Sequence, residues 1–175
     1  MKTTTSFLAS ILALLLAANL HGRAAETNQL SAKDSKFIKN ALIGGQMEVT
    51  LGQLAAQKGA DQSVRDFGTK MVADHQKAGD ELKGLVTQKG GQVPEVPDQN
   101  SMAEHLQKLY GHDFDKMYMN HMVKDHMKDI AEFESEAKNG DDAELKTWAS
   151  KTLPVLQEHL QLAKAAQAKV EPAAR

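Results

Sequence analysis

The sequence predicts an all-α fold, a four-helix bundle of two repeated helical hairpins, and three observations carry that expectation. Four stretches, 34–58, 61–89, 113–138 and 141–168, place apolar residues three and four apart, the spacing that lines one face of a helix. The 12 glycines and 4 prolines fall mostly between those stretches, and aromatic residues make up only 5% of the chain. Finally, a shift of 81 positions lays the second half of the chain on the first. Phe37 falls on Tyr118, Glu48 on Asp129, Gly59 on Gly140, Asp61 on Asp142, Val64 on Leu145 and Phe67 on Trp148, with no gap.

The first helix, 34–58, can be capped by Ser31 or Ser35 and turns Phe37, Ala41, Gly45, Glu48, Gly52 and Ala55 inward. Its small residues allow a neighbouring backbone to come close. Glu48 is the exception on that face, because a carboxylate buried alone costs several kcal/mol unless it is paired, protonated or bound to metal. Gly59 ends this helix, and Asp61 or Ser63 opens the second, whose inward face is Val64, Phe67, Met71, His75, Ala78, Leu82 and Val86. So short a connection predicts antiparallel neighbours, with Glu48 and His75 facing each other to within a turn.

The stretch 90–100 holds Gly90, Gly91, Pro94 and Pro97 and cannot be helical. Ser101 and Glu104 have capping-box spacing and start a short extra helix ending at Gly111. This connector is far longer than a bundle turn requires, and a long crossover between two hairpins is the ferritin-like arrangement. The third long helix stops at Asn139-Gly140, and the fourth carries Leu145, Trp148, Leu153, Leu156, His159 and Ala163 inward with Pro154 inside it. The organisation is therefore a leader at 1–24, a flexible start at 25–33, the bundle at 34–169 and a loose tail at 170–175.

The leader reads as a secretory signal peptide. Lys2 supplies a positive charge, 7–20 is an apolar run, and Gly22-Arg23-Ala24 offers a small-x-small cleavage site. The run is too short to span a bilayer comfortably, and the alternative is an uncleaved anchor. The mature chain is expected to be exported, with the periplasm as its destination, and to hold no transmembrane segment. Net charge is −2 and the lysines are spread evenly, which argues against a nucleic-acid partner; an envelope protein or a second copy of the chain is the expected partner. With no cysteine, disulfides and thiolate metal sites are excluded.

The chemistry concentrates on the bundle's inner faces. Acid–histidine dipeptides recur at Asp74-His75, Asp125-His126 and Glu158-His159. Adjacent helical residues diverge by roughly 100°, so each histidine follows the apolar stripe and each acid lies to its flank. Glu48, His75, His126, Asp129 and His159 fall near one level of the bundle. Such a set suits one Fe, Mn, Zn or Cu ion, with Asp74, Asp125 and Glu158 as outer partners of the rings. The alternative is a metal-free hydrogen-bonded network that fixes helix register. Met117, Met119, Met122 and Met127 could offer a soft site to Cu(I), but they do not share one face, and His105, His112 and His121 read as solvent-facing. No nucleophilic triad or phosphate loop is present.

The segment 45–55 with 67–75, and Met122-Val-Lys-Asp-His126 with 152–159, resemble the two halves of a known family. These are exported bacterial ferritin-like proteins of unknown function, often labelled "predicted outer membrane protein". The resemblance covers 36–168 and implies a ferritin-like bundle in the cell envelope without an established activity, Glu48, His75, His126 and His159 matching its polar positions. Di-iron proteins carry Glu-x-x-His on two helices, whereas Val123 and Leu156 stand three before His126 and His159. A single metal ion is thus expected rather than a dinuclear iron centre, and no alternating barrel strands accompany the outer-membrane label. Three functions follow: an envelope or stress-related metal-binding protein, a metal-free structural or interaction module, and a metal-dependent oxidoreductase.

Overall fold

A computed structural model describes residues 30–97 and 101–171; the leader, most of the flexible start and the end of the tail lie outside the described residues. Among the described residues five helices follow one another: α1 (Ala32–Lys58), α2 (Gln62–Gln88), α3 (Ser101–Gln107), α4 (Gly111–Asn139) and α5 (Ala143–Val170). No strand occurs among the described residues. α1 packs along α2 and α4 along α5, while α2 meets α5 and α1 meets α4, so each long helix has two long neighbours. The short α3 rests on α1 and α4.

Local chemistry sets the ends. Ser31 caps α1 by accepting from the Asp34 amide, Asp61 caps α2 through the Ser63 amide, and Asp142 caps α5 through the Glu144 and Leu145 amides. At the end of α2, Gly90 has φ +70°, and the Gly90 and Gly91 amides return to the carbonyls of Thr87 and Val86. That paired closure uses the left-handed conformation a glycine adopts freely. Gly59 and Gly140 end α1 and α4 for a different reason. Their φ is −53°, but a Cβ would lie 2.8 Å from the Ala55 carbonyl and 2.7 Å from that of Glu136. Pro154 is accommodated within a continuous α5.

The internal repeat is expressed as reciprocal docking. Asp34 on α1 accepts from the Asp141 and Asp142 amides, both at 3.0 Å, in the turn between α4 and α5. Asp115 on α4, 81 positions on, accepts from the Ala60 and Asp61 amides at 2.9 and 2.7 Å in the turn between α1 and α2. Both acids are buried. Each hairpin thus holds the turn of the other.

The core comes in two apolar clusters. One gathers Leu51, Phe67, Met71, Phe114, Tyr118 and Met122. The other gathers Phe37, Leu42, Leu82, Phe133, Leu145 and Leu156. On every long helix the chain crosses from one cluster to the other through a single buried polar residue: Glu48 on α1, His75 on α2, His126 on α4 and His159 on α5. These four residues meet one another between the two clusters. α1 and α2 are drawn together close by, where a Cβ on Gly68 would lie 2.7 Å from the Gly52 carbonyl.

Candidate metal centre

The polar layer is buried and converging. Glu48 is 1% exposed, His75 8%, and His126 and His159 0%. Each of the three imidazoles offers a ring nitrogen, and the three atoms lie within 4.8 Å of one another. Ring centroids are 5.3 Å apart for His75 and His159, 5.4 Å for His126 and His159, and 5.8 Å for His75 and His126.

One nitrogen of each ring is tied down from outside the triad. His126 Nδ1 lies 2.9 Å from the Met122 carbonyl, which can only accept, so this nitrogen carries the proton. His159 Nε2 lies 2.8 Å from Asp74 Oδ2. Burial raises the Asp74 carboxyl, but hydrogen bonds from His159 and Lys70 outweigh it and the net shift is downward, so an ionised Asp74 accepts from the ring. His75 Nδ1 lies 3.0 Å from Glu48 Oε2 and donates to it when Glu48 is ionised. The opposite nitrogens, His75 Nε2, His126 Nε2 and His159 Nδ1, are buried with no hydrogen-bond partner. A neutral ring whose outer N–H is engaged presents its lone pair on the other side, which is how histidine is prepared for a metal.

Burial suppresses the charged forms. It takes His75 down to about 4 and lowers His126 and His159 as well, so all three rings are neutral at pH 7. Burial also drives Glu48 up to about 8 against the attraction of His126. Asp129 is pushed up to about 8 by burial and then by the charges of Glu48 and Asp125.

The carboxylates stand differently from the sequence expectation. Asp129 is half-buried and groups with Glu48 and Asp125, whose oxygens lie within 4.8 Å of one another, rather than among the imidazoles. None of the dipeptide acids hydrogen-bonds the histidine beside it: Asp74 serves His159 on another helix, and Glu158 is exposed and pairs with Lys70 at 3.3 Å. His121 is half-buried rather than solvent-facing, with its Nε2 enclosed and unpartnered. Met119 and Met122 lie in the apolar core while Met117 and Met127 are exposed, so the four sulfurs do not form a common site.

A cleft of ≈ 950 Å³ reaches this layer from outside. Glu48, His75, His159, Asp125 and Asp129 line it, and glycines 44, 45 and 79 form part of its wall. The cleft therefore opens toward His75 and His159, while His126 lies outside its lining.

Fold and site together define an all-helical protein with a buried histidine–carboxylate layer of metal-ligand composition. The chain belongs to the family described as Domain of unknown function (DUF4142), which matches residues 19–166. No curated protein matches it. Solved structures share its fold. A DUF305 fragment from Deinococcus radiodurans has TM-score 0.71 at 9% identity, covering 80% of this chain and 98% of that one. A DUF305 protein from Streptomyces coelicolor, described as a candidate secreted protein, has TM-score 0.69 at 12% identity over 79% and 93% of the two chains. CopM in its Cu(I)-bound form has TM-score 0.69 at 14% identity over 82% and 100%. No described helix is long and apolar enough to cross a membrane.

Proposed function

We propose that this protein is an exported metal-binding bundle of the cell envelope, holding one transition-metal ion through His75, His126 and His159. The single observation that carries the reading is three buried imidazoles within 4.8 Å, each with one ring nitrogen left unpartnered. Three neutral imidazoles without thiolate suit zinc, copper or iron. Similarity in fold to CopM in its Cu(I)-bound form supports copper among these, and the apolar leader supports export, as does the likeness to a candidate secreted protein. The paired hairpins and the long crossover support the ferritin-like assignment.

Elemental analysis of protein purified from the periplasm, with melting curves after adding Zn, Cu, Fe or Mn salts, tests the reading. Bound metal and a raised melting temperature are expected in the wild type and not in His159→Ala. A second reading has its own support: the Glu48–His75 and Asp74–His159 contacts each tie two helices together and could fix register alone. Metal-free protein whose melting ignores every salt would leave that structural module as the function.

A further inference from the structure

We propose that Glu48, Asp125 and Asp129 form a second cation site, beside the histidines and sharing Glu48 with them, that takes a hard divalent ion such as Ca²⁺ or Mn²⁺. The three carboxylates converge within 4.8 Å. Yet among the described residues no ion pair or hydrogen bond reaches Asp125 or Asp129, and Lys128, the lysine whose charge acts on Glu48 and Asp129, is exposed and bridges to neither. Glu48, 1% exposed, meets His75 through Oε2, while its Oε1, 3.4 Å from His126 Nδ1, is buried without a hydrogen bond, and Asp125 Oδ2 is likewise enclosed and unpartnered.

This differs from how the fold treats comparable acids. Asp34 and Asp115 each accept two backbone amides, Asp142 pairs with a buried Lys89 at 2.8 Å, and Asp74 accepts from both His159 and Lys70. Glu48 has His75 on one oxygen, but Asp125 and Asp129 have no such partner, and three carboxylates held together in this way are costly unless protons or a cation neutralise them.

The donor set names the class of ion. Oxygen alone, with no nitrogen or sulfur in the group, favours hard cations over the softer ions that imidazoles prefer. Ca–O bonds of about 2.3–2.6 Å let opposite ligands stand nearly 5 Å apart, whereas Mg–O bonds of about 2.0–2.1 Å demand a tighter set. Asp125 and Asp129 line the cleft, so water can complete the coordination. The site stands on its carboxylates and does not require the histidines to be loaded.

Tb³⁺, a hard-cation probe, tests this through emission sensitised by Trp148, the one tryptophan of the chain, which lines the same cleft. Wild-type protein is expected to give saturable emission that Ca²⁺ or Mn²⁺ competes away. Asp125→Asn/Asp129→Asn should weaken binding at least tenfold while keeping its helical circular dichroism and melting no lower than the metal-free wild type, because the substitution removes repelling charges. Zn²⁺ or Cu²⁺ binding should survive in that variant, and Tb³⁺ binding should survive in His126→Ala/His159→Ala. Emission that does not saturate, that persists unchanged in the double Asn variant, or that disappears with the histidines would overturn the carboxylate site. The Tb³⁺ results stand apart from whether the histidines hold a transition metal, which the Zn²⁺ and Cu²⁺ measurement reads.

Discussion

His159 takes its hydrogen-bond partner from Asp74 on α2, 85 positions away and 2.8 Å distant, and not from Glu158 beside it. Asp74 is itself held by Lys70 at 3.1 Å, so a charged chain runs from the rim of the bundle to a buried ring. The carboxylate orients the imidazole and keeps its proton on Nε2. Removing such an outer partner commonly costs about 10–100-fold in metal affinity. Asp74→Asn is therefore expected to weaken metal binding by that order, read by competition with a chromophoric chelator. Its effect on stability should stay below ~1 kcal/mol, because the Lys70 pair is partly exposed. Glu158→Gln, at an exposed position, should leave affinity unchanged. Equal affinities in all three proteins would reduce the Asp74–His159 contact to packing.

Metal-free protein should lose stability as the medium turns alkaline. Glu48 and Asp129 are raised to about 8, so the folded chain keeps protons that the unfolded chain releases near 4.5 and 3.8. Their contribution is complete below those lower values and is lost as pH climbs to about 8. His75, lowered to about 4 from 6.5, acts in the opposite sense and only between those two values. Above pH 6.5 the carboxylate slope therefore stands alone, at about 1.4 kcal/mol per pH unit for each group. At about 2–4 °C per kcal/mol for a chain of this size, melting of chelator-treated protein should fall by several degrees between pH 6.5 and 8. Glu48→Gln should flatten that fall. A melting temperature independent of pH over this interval would show that neither carboxylate holds its proton.

Much of this was legible in the sequence, and the divide is physical. Helical spacing says which residues share a face, so Glu48, His75, His126 and His159 could be placed inward at one level, and the repeat of 81 positions could be read directly. Spacing does not say which neighbouring helix a flanking side chain meets. That is why Asp74 read as an outer partner of the rings without His159 being named as the one it meets, and why Asp125 was not joined to Glu48 and Asp129. Asp34 and Asp115 stand near helix starts, where helical spacing alone gives no sign of burial, yet they obey the same shift of 81, a signal that could have marked them. Their burial depends on how the two hairpins dock, which no local pattern encodes. His121 lies one turn before Asp125 and read as solvent-facing, whereas the structure half-buries it and encloses its Nε2.

The two clamps should not be equally valuable. Asp115→Ala strips two backbone amides of a charged acceptor, at about 1.5–3 kcal/mol for each bond, giving a loss of about 3–6 kcal/mol. Asp34→Ala removes the same two bonds but also relieves Glu136, which burial, then the charge of Asp34 and a hydrogen bond with it, push up to about 7. The residue equivalent to Glu136 beside Asp115 is Ala55, which offers no such relief. Asp34→Ala is therefore expected to cost less than Asp115→Ala in urea unfolding. The two effects should add in the double variant, since the turns they hold lie at opposite ends of α1 and share no partner. Equal costs would mean that Glu136 does not burden the Asp34 clamp.

Glycines in α1 and α2 should divide by what surrounds them. Gly68→Ala would bring a Cβ to 2.7 Å from the Gly52 carbonyl and 2.8 Å from the Ala55 Cβ, and the neighbour on one side is backbone. Relief requires the two helices to part, at about 1–3 kcal/mol, which outweighs the ~0.5–1 kcal/mol that alanine gains over glycine in a helix. Parting α1 from α2 also separates Glu48, one turn before Gly52, from His75 on the facing helix, so metal affinity should fall along with melting temperature. Gly44 and Gly79 line the cleft, and a Cβ on either meets nothing within 4 Å. Gly44→Ala and Gly79→Ala should therefore keep the whole propensity gain and raise the melting temperature by a few degrees without weakening metal binding. A Gly68→Ala variant as stable as the wild type would mean that the close approach is not what sets the spacing of Glu48 and His75.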